Sequence, residues 1–314
     1  MKTIYFIVIA MILASTSVAQ SISDLGKITL SVVMPENVDG LDISQLSKLE
    51  TKISQIVTVS GLAASGYNNN FVIYPKFAIY ENNIVEGGMQ KITVFTAELS
   101  LFIKQVENNL LFSTISKQLK GSGSNKEQAI TNAISKIPIN DTEFKIFIET
   151  GKSEIIRYYE TKCEDIIKKS DSYVKMQQYD QALGLLMTVP EEVSSCYNQI
   201  QGKAIEAYKA YQTQKCAELI QKAKTTLAGN DYAGALNILS DIDPSASCFN
   251  EAQALAKTAE TKVDAEEKKQ WDFQMKQYSD AVSLEKQRIN AIKEIAVSYY
   301  KSQPTTVNYN YIIR

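Results

Sequence analysis

Four cysteines, three pairs of close carboxylates and one glycine-serine run are the residues of this 314-residue chain whose types and spacing could do chemistry. The carboxylates are Glu191-Glu192, Glu266-Glu267, and Asp241 with Asp243. Two carboxylates can divide acid and base roles on a glycosidic bond when their surroundings push their pKa values apart. Here they fall at helix ends and in a charged helix, where acids cap helices or face solvent. The run Gly121-Ser122-Gly123-Ser124-Asn125 precedes a helical pattern, so its backbone N–H groups could cradle a phosphate. It lacks the P-loop lysine and the full G-x-G-x-x-G spacing, and reads as a strand-to-helix turn. The chain contains no histidine. That excludes histidine triads, histidine bases and most catalytic zinc sites, and no G-x-S-x-G elbow presents a serine. No catalytic, cofactor-binding or metal-ligating set is therefore assigned. Tyr158, Tyr159, Tyr197, Tyr208, Tyr211, Tyr299 and Tyr300 fall on helical stretches. They could line a peptide or glycan groove, although packing between helices accounts for most of them.

The cysteines take their meaning from the amino terminus. MKTIYFIVIAMILASTSVAQ carries a lysine, an apolar run from Ile4 to Leu13 and the small-x-small pattern Ser17-Val18-Ala19. This is the pattern of a secretory signal peptide, residues 1–19, cut after Ala19. The run is too short to stay as a membrane anchor, and no cysteine follows it to take a lipid. An exported chain with an even number of cysteines is expected to hold disulfides. Four cysteines allow three connectivities. Cys196 and Cys216 lie on what reads as one continuous helix, roughly 30 Å apart at the helical rise, which excludes that pair. A bridge within each helical unit fits best: Cys163 to Cys196 and Cys216 to Cys248. Each would close a loop of just over thirty residues, worth roughly 3 to 4 kcal/mol on the chain-entropy account.

The elements that position the cysteines are duplicated. At an offset of about fifty-three residues, CEDIIKKSDSYVKMQQYDQALGLLMTVPEEVSSCYN matches CAELIQKAKTTLAGNDYAGALNILSDIDPSASCFN. Cys163 falls on Cys216, Tyr179 on Tyr232, Ala182-Leu183 on Ala235-Leu236, Pro190 on Pro244, and Cys196-Tyr197 on Cys248-Phe249. Each unit reads as two antiparallel helices. In the first, Ile166, Ile167, Tyr173 and Val174 precede a turn at QQY, and Tyr179, Ala182, Leu183, Leu185 and Leu186 follow it. In the second, Leu219, Ile220, Ala223 and Leu227 precede Gly229-Asn230-Asp231, and Tyr232, Ala235, Leu236, Ile238 and Leu239 follow. Pro190 and Pro244 stop the short helices. The phrases QQYDQAL and NDYAGAL resemble a tetratricopeptide-type hairpin, with a longer repeat than the usual thirty-four or so residues. That resemblance implies a helical repeat that presents a face to partners.

Upstream, ITLSVVM from Ile28 to Met34 reads as a strand, and Asp42 caps a helix through Ile43, Leu46, Leu49, Ile53, Ile56 and Val57. Three strand-like runs follow: FVIYPKFAIYE, KITVFTAELSLFIKQ and NLLFSTISKQLKG. Their turns fall at Asn82-Asn83 or Gly87-Gly88, and at Glu107-Asn108-Asn109. KEQAITNAISKI is a helix burying Ala129, Ile130, Ala133, Ile134 and Ile137. FKIFIE, from Phe144 to Glu149, is either a last strand or the lead into the next helix. The order is β-α-β-β-β-α. With GLAASGY before FVIYP and GSGSNKEQAITNAISKI after the sheet, it resembles the small α/β domain of bacterial envelope proteins of the curli-secretion and related outer-membrane-associated families.

The expected fold is α+β. A small α/β domain spans 20–150, a duplicated tetratricopeptide-like helical domain 151–263, a long charged helix 264–303 and a strand-like tail 304–314. Net charge is −2, which gives no basic face for nucleic acid. The expected function is that of an exported, non-enzymatic interaction or scaffold protein, periplasmic or envelope-associated. It would bind a protein partner, with a homo-oligomer allowed, and would keep no integral membrane segment after signal cleavage. The alternatives are a component of an assembled secretion apparatus or particle, and an envelope glycan-acting enzyme using carboxylates.

Overall fold

The computed structural model describes residues 28–35, 38, 40–62, 71–87, 90–106 and 109–302. The expected signal peptide, most of the GLAASGY loop and the strand-like tail lie outside the described residues. The fold is α+β: a four-stranded sheet in the amino-terminal part is followed by a mostly helical region with a long carboxyl-terminal helix.

The sheet has the order β1-β2-β3-β4, with β1 (Ser31–Val32) parallel to β2 (Phe71–Gly87). β3 (Gln90–Gln105) and β4 (Leu111–Gly123) are antiparallel neighbours. β1 is shorter than its sequence suggests. Its flanks Ile28, Leu30 and Val33 are buried all the same, and the Val33 N–H donates to the Ile73 carbonyl at 3.0 Å. Pro75 sits beyond the part of β2 that β1 covers, where a missing donor costs least. β2 runs straight through Asn82 and Asn83, which pair with Phe95 and Val94, so the hairpin reverses between Gly87 and Gln90. The β3–β4 turn closes through Asn109, whose φ of 53° an asparagine tolerates.

Two helices and the start of a third cover the sheet. α1 (Ile43–Val59) starts with a capping box between Asp42 and Gln45 and buries Leu49, Ile53, Ile56 and Val57. Ile43, expected on that face, is 86% exposed. Gln45 is buried instead, because its Nε2 donates to the Glu127 carbonyl at 3.1 Å and ties α1 to α2 (Lys126–Ser135). Asn125 caps α2. A Cβ on Gly121 would stand 2.1 Å from the Ala129 carbonyl oxygen, so the glycines before the cap let α2 lie directly on β4.

α3 (Thr142–Lys175) takes in FKIFIE as helix. Phe144, Phe147, Ile148, Gly151, Ile155 and Tyr159 recur at helical spacing on its buried side, and that period outweighs the β-favouring composition. The expected boundary at residue 150 lies inside this helix. One core cluster runs from the sheet through α3 to Leu183, Cys196, Ile200 and Tyr208, and includes Ile292 and Ala296. A second gathers Cys216, Ile220, Leu236, Leu239, Ile242 and Trp271.

The helical units are α3 with α4 (Tyr179–Leu186), and α5 (Ser194–Ala228) with α6 (Tyr232–Ser240) and α7 (Phe249–Glu260). Their turns share one geometry. Gln177 and Asn230 have φ of 59° and 62°. The Gln178 N–H donates to the Tyr173 carbonyl at 2.9 Å, and the Asp231 N–H to the Thr226 carbonyl at 3.1 Å. Both are Schellman caps. The charged segment after the repeats is helical in two pieces, α8 (Ala265–Ser279) and α9 (Ala281–Ser302), divided where Asp280 takes an extended backbone. α9 folds back on α4: the Tyr300 hydroxyl donates to the Gly184 carbonyl at 2.8 Å, and a Cβ on Gly184 would meet the Tyr299 ring at 2.6 Å. Among the described residues no helix is long and apolar enough to cross a membrane.

Candidate functional site

The cysteines form two bridges, Cys163–Cys196 and Cys216–Cys248, with Cα separations of 5.7 and 5.8 Å. Each joins the first helix of its unit to the start of the helix that comes after the proline stop. α5 is one helix carrying Cys196 in its first turn and Cys216 in its interior, so the two bridges fasten it at two points.

Most of the carboxylates have structural partners. Glu267 completes the capping box of α8 with Asp264. Glu192 accepts from the Ile28 N–H at 3.3 Å and lies 3.8 Å from Lys152, tying the start of the sheet domain to α3. Glu191 accepts from the Tyr197 hydroxyl, whose pKa is pushed up to about 12 by burial and then by that carboxylate. The glycine-serine run ends in the Asn125 cap, whose side chain accepts from the Gln128 N–H at 2.9 Å and so occupies the α2 terminus.

Asp241 and Asp243 are placed differently. They border an open cleft of about 450 Å³ between α5, the end of α6, α8 and α9. The cleft lies where the two core clusters meet. The segment builds it locally: Ile242 is fully buried between two acidic neighbours that line the cleft, and Pro244 prevents α6 from continuing. Asp243 accepts from the Ser245 N–H at 2.8 Å and from the Ser245 hydroxyl at 2.6 Å. Arg288 of α9 then reaches it with two more hydrogen bonds, Nε to Oδ2 at 2.7 Å and Nη2 to Oδ1 at 2.8 Å. Burial alone would raise the Asp243 carboxyl, but the bonds from Arg288 and Ser245 outweigh it and hold the group below its ordinary value. Asp241 is more exposed, yet the protein crowded around it pushes its carboxyl up, against Lys222 and together with Glu294.

Part of the lining is aromatic. Tyr208 and Tyr211 come from α5 and Tyr278 from α8. Burial pushes the Tyr208 phenol up to about 12 and raises Tyr278 as well, so both hold their protons at neutral pH. The Tyr278 hydroxyl donates to the Ser240 carbonyl, which fastens α8 to the end of α6. Gln212 also lines the cleft and is 6% exposed; its Nε2 donates to the Tyr208 hydroxyl at 2.8 Å. Its Oε1 has no hydrogen-bond partner among the described residues. An amide oxygen buried without a donor costs about 1 to 3 kcal/mol.

The structure thus brings Asp241, Asp243, Tyr208 and Tyr211 into one site, and leaves Glu191, Glu192, Glu266 and Glu267 outside it. Arg288, Gln212, Glu294 and the cleft-lining role of Tyr278 are not apparent in the sequence. One signal was available: the second unit carries one residue more than the first between its Ala-Leu step and its proline, and Asp241 and Asp243 fall in that stretch. A smaller cleft, about 230 Å³, lies between β3, α3 and α4 beside Gln105, Tyr159 and Lys162.

No protein-family model matches the chain, and no curated protein matches it. Among solved structures the chain is similar to a minor lipoprotein from Acinetobacter baumannii, at 16% identity over 40% of this chain and 91% of that one, with a TM-score of 0.27. It is similar also to a protein of Caulobacter crescentus CB15 described as a lipoprotein, at 10% identity over 41% and 94%, with a TM-score of 0.26. Likenesses this slight carry no argument about fold or function.

Proposed function

We propose that this protein is an exported, non-enzymatic interaction protein of the bacterial cell envelope that binds a protein partner through its duplicated helical hairpins. The observation that carries the reading is the open, tyrosine-walled cleft at the junction of the second hairpin with α8 and α9. Aromatic side chains around a desolvated polar centre are what a partner's anchoring residue requires. Two disulfides support an oxidising compartment, and with it export. The tetratricopeptide-like phrases of the two hairpins support a repeat that presents one face to partners.

A carboxylate enzyme acting on glycans would need Asp241 as acid and Asp243 as its counterpart. Asp243 is 3% exposed, and its two oxygens already take bonds from Arg288 and Ser245, so it has no free edge for a sugar. The interaction reading therefore stands ahead. Cross-linking with mass spectrometry in the native cell tests it: adducts to one partner, concentrated on α5, α8 and α9, are the expected result. Hydrolysis of cell-wall glycan that disappears in Asp241→Asn would overturn it.

A further inference from the structure

Three features of the cleft limit what it can take. The first is the kind of hydrogen-bonding group left over. Gln212 Oε1 is an acceptor, buried and without a donor among the described residues, so a ligand that satisfies it must bring an N–H or O–H. The second is charge. Asp241, Asp243 and Glu294 line the cleft against the single cation Arg288, which is already committed to Asp243. This leaves Asp241 and Glu294 as the lining carboxylates not held by Arg288, with Lys222 facing Asp241 from beyond the lining. The third is the wall: Tyr208, Tyr211 and Tyr278 hold protonated phenol rings, whose faces attract a cation. An anionic ligand would meet the carboxylates of Asp241 and Glu294 and the Gln212 acceptor, and an apolar one would leave Gln212 unsatisfied.

We propose that this cleft binds an aliphatic primary ammonium group, presented as a lysine side chain of a partner or as a free alkyl diamine. The ammonium donates to Gln212 Oε1 and lies between Asp241 and Glu294, with its alkyl stem along the tyrosine rings. The duplication supplies an internal comparison. The hydrogen bonds at the ends of the two short helices put Val189 on Ile242 and Thr188 on Asp241, and leave Asp243 as the residue that the second hairpin has gained before its proline. The second copy thus carries Asp241 and Asp243 where the first carries one threonine, and these two acids border the cleft of about 450 Å³. The lysine form of this inference rests on the partner-binding reading; the chemistry of the cleft does not.

The test is calorimetric titration of the oxidised full chain at low salt with three probes: cadaverine, the peptide acetyl-Gly-Lys-Gly-amide, and the same peptide acetylated at the lysine Nε. Saturable binding of an unmodified amine, lost on Nε-acetylation, is expected. Glu294→Gln, at an exposed position that folding does not depend on, should weaken binding about two- to fivefold, as should Asp241→Asn. Binding of cadaverine alone would assign the site to a free amine, and binding of the lysine peptide would assign it to a partner's side chain. Equal affinity for the acetylated peptide, indifference to both substitutions, or no saturable amine binding at millimolar concentration would overturn the proposal. A partner captured by cross-linking whose contact survives acetylation would sink this inference and leave the partner-binding reading intact.

Discussion

Arg288 grips Asp243 across the seam between α9 and the end of α6, with two hydrogen bonds of 2.7 and 2.8 Å and with 16% and 3% of the respective side chains exposed. Removing one partner strands the other, and a stranded buried charge costs more than the pair contributes. Arg288→Met is expected to lower unfolding free energy by about 3 kcal/mol, and Arg288→Met with Asp243→Leu to recover part of that loss. Chemical unfolding of the three proteins checks this; a single-substitution effect below about 0.5 kcal/mol would mean that the pair is idle.

The same pair sets a pH dependence. A carboxyl whose folded pKa is depressed stabilises the fold above its unfolded value and loses that contribution as pH falls through the folded value. Asp243, held down against burial by Arg288 and Ser245, and Asp141, held down by Lys117, both act in this sense below their ordinary value of 3.8. Asp241 acts in the opposite sense, since burial raises its carboxyl and protonation relieves the fold. Thermal melts should therefore show Asp241→Asn more stable than the parent at neutral pH, with the advantage fading as pH falls towards 3.8, where the parent's own carboxyl takes a proton. Ammonium binding in the parent should weaken over the same interval, in the field of Lys222 and Glu294 that face Asp241.

The disulfides close loops with sequence separations of 33 and 32 residues. On the chain-entropy account each contributes about 3 to 4 kcal/mol. Cys163→Ala with Cys196→Ala, or the matching pair in the second unit, should lower the melting temperature by several degrees. Peptide mapping without reduction reads the pairing directly, and a Cys163–Cys248 peptide would contradict it.

Gln177 occupies a left-handed position that its counterpart fills with Asn230. A glutamine there carries a steric penalty that glycine lacks and asparagine partly avoids. Gln177→Gly is expected to stabilise by about 0.5 to 1 kcal/mol, and Asn230→Gly by less. Loss of stability in the first would show that its side chain, not its backbone, matters.

A fragment of residues 20–150 ends inside α3, ahead of Ile155 and Tyr159, which belong to the same core as the sheet. It keeps the sheet with α1 and α2 but exposes the end of β3, where Gln105 Nε2 donates to the Tyr159 hydroxyl at 3.2 Å. We expect residues 20–175 to unfold at a higher denaturant concentration than residues 20–150. Equal midpoints by circular dichroism would place the boundary at residue 150 after all.

What could be read in the sequence was local or repeated. Asp42 and Asn125 announce their helices because a cap is a matter of three residues. The cysteine pairs stand out because the duplication writes them twice. What could not be read depends on distant partners. Asp243 lies in the segment after α6 and Arg288 on α9; they meet only when α9 folds back, and nothing local marks them. Gln45 takes a buried place on α1 because Glu127 offers a carbonyl from α2. FKIFIE is dense in β-favouring residues, and it becomes helix because Phe144, Phe147, Gly151 and Ile155 must all meet the sheet on one side.

The return of α9 onto α4 also limits how the protein could have grown. An open array lengthens by stacking another hairpin on its free end. Here α8 lies against α6, with Trp271 in the second core, and α9 runs back to press Tyr299 and Tyr300 on Gly184 in the first unit. A third copy inserted after α7 would carry α8 away from its seat and pull Arg288 from Asp243. The architecture counts to two and closes.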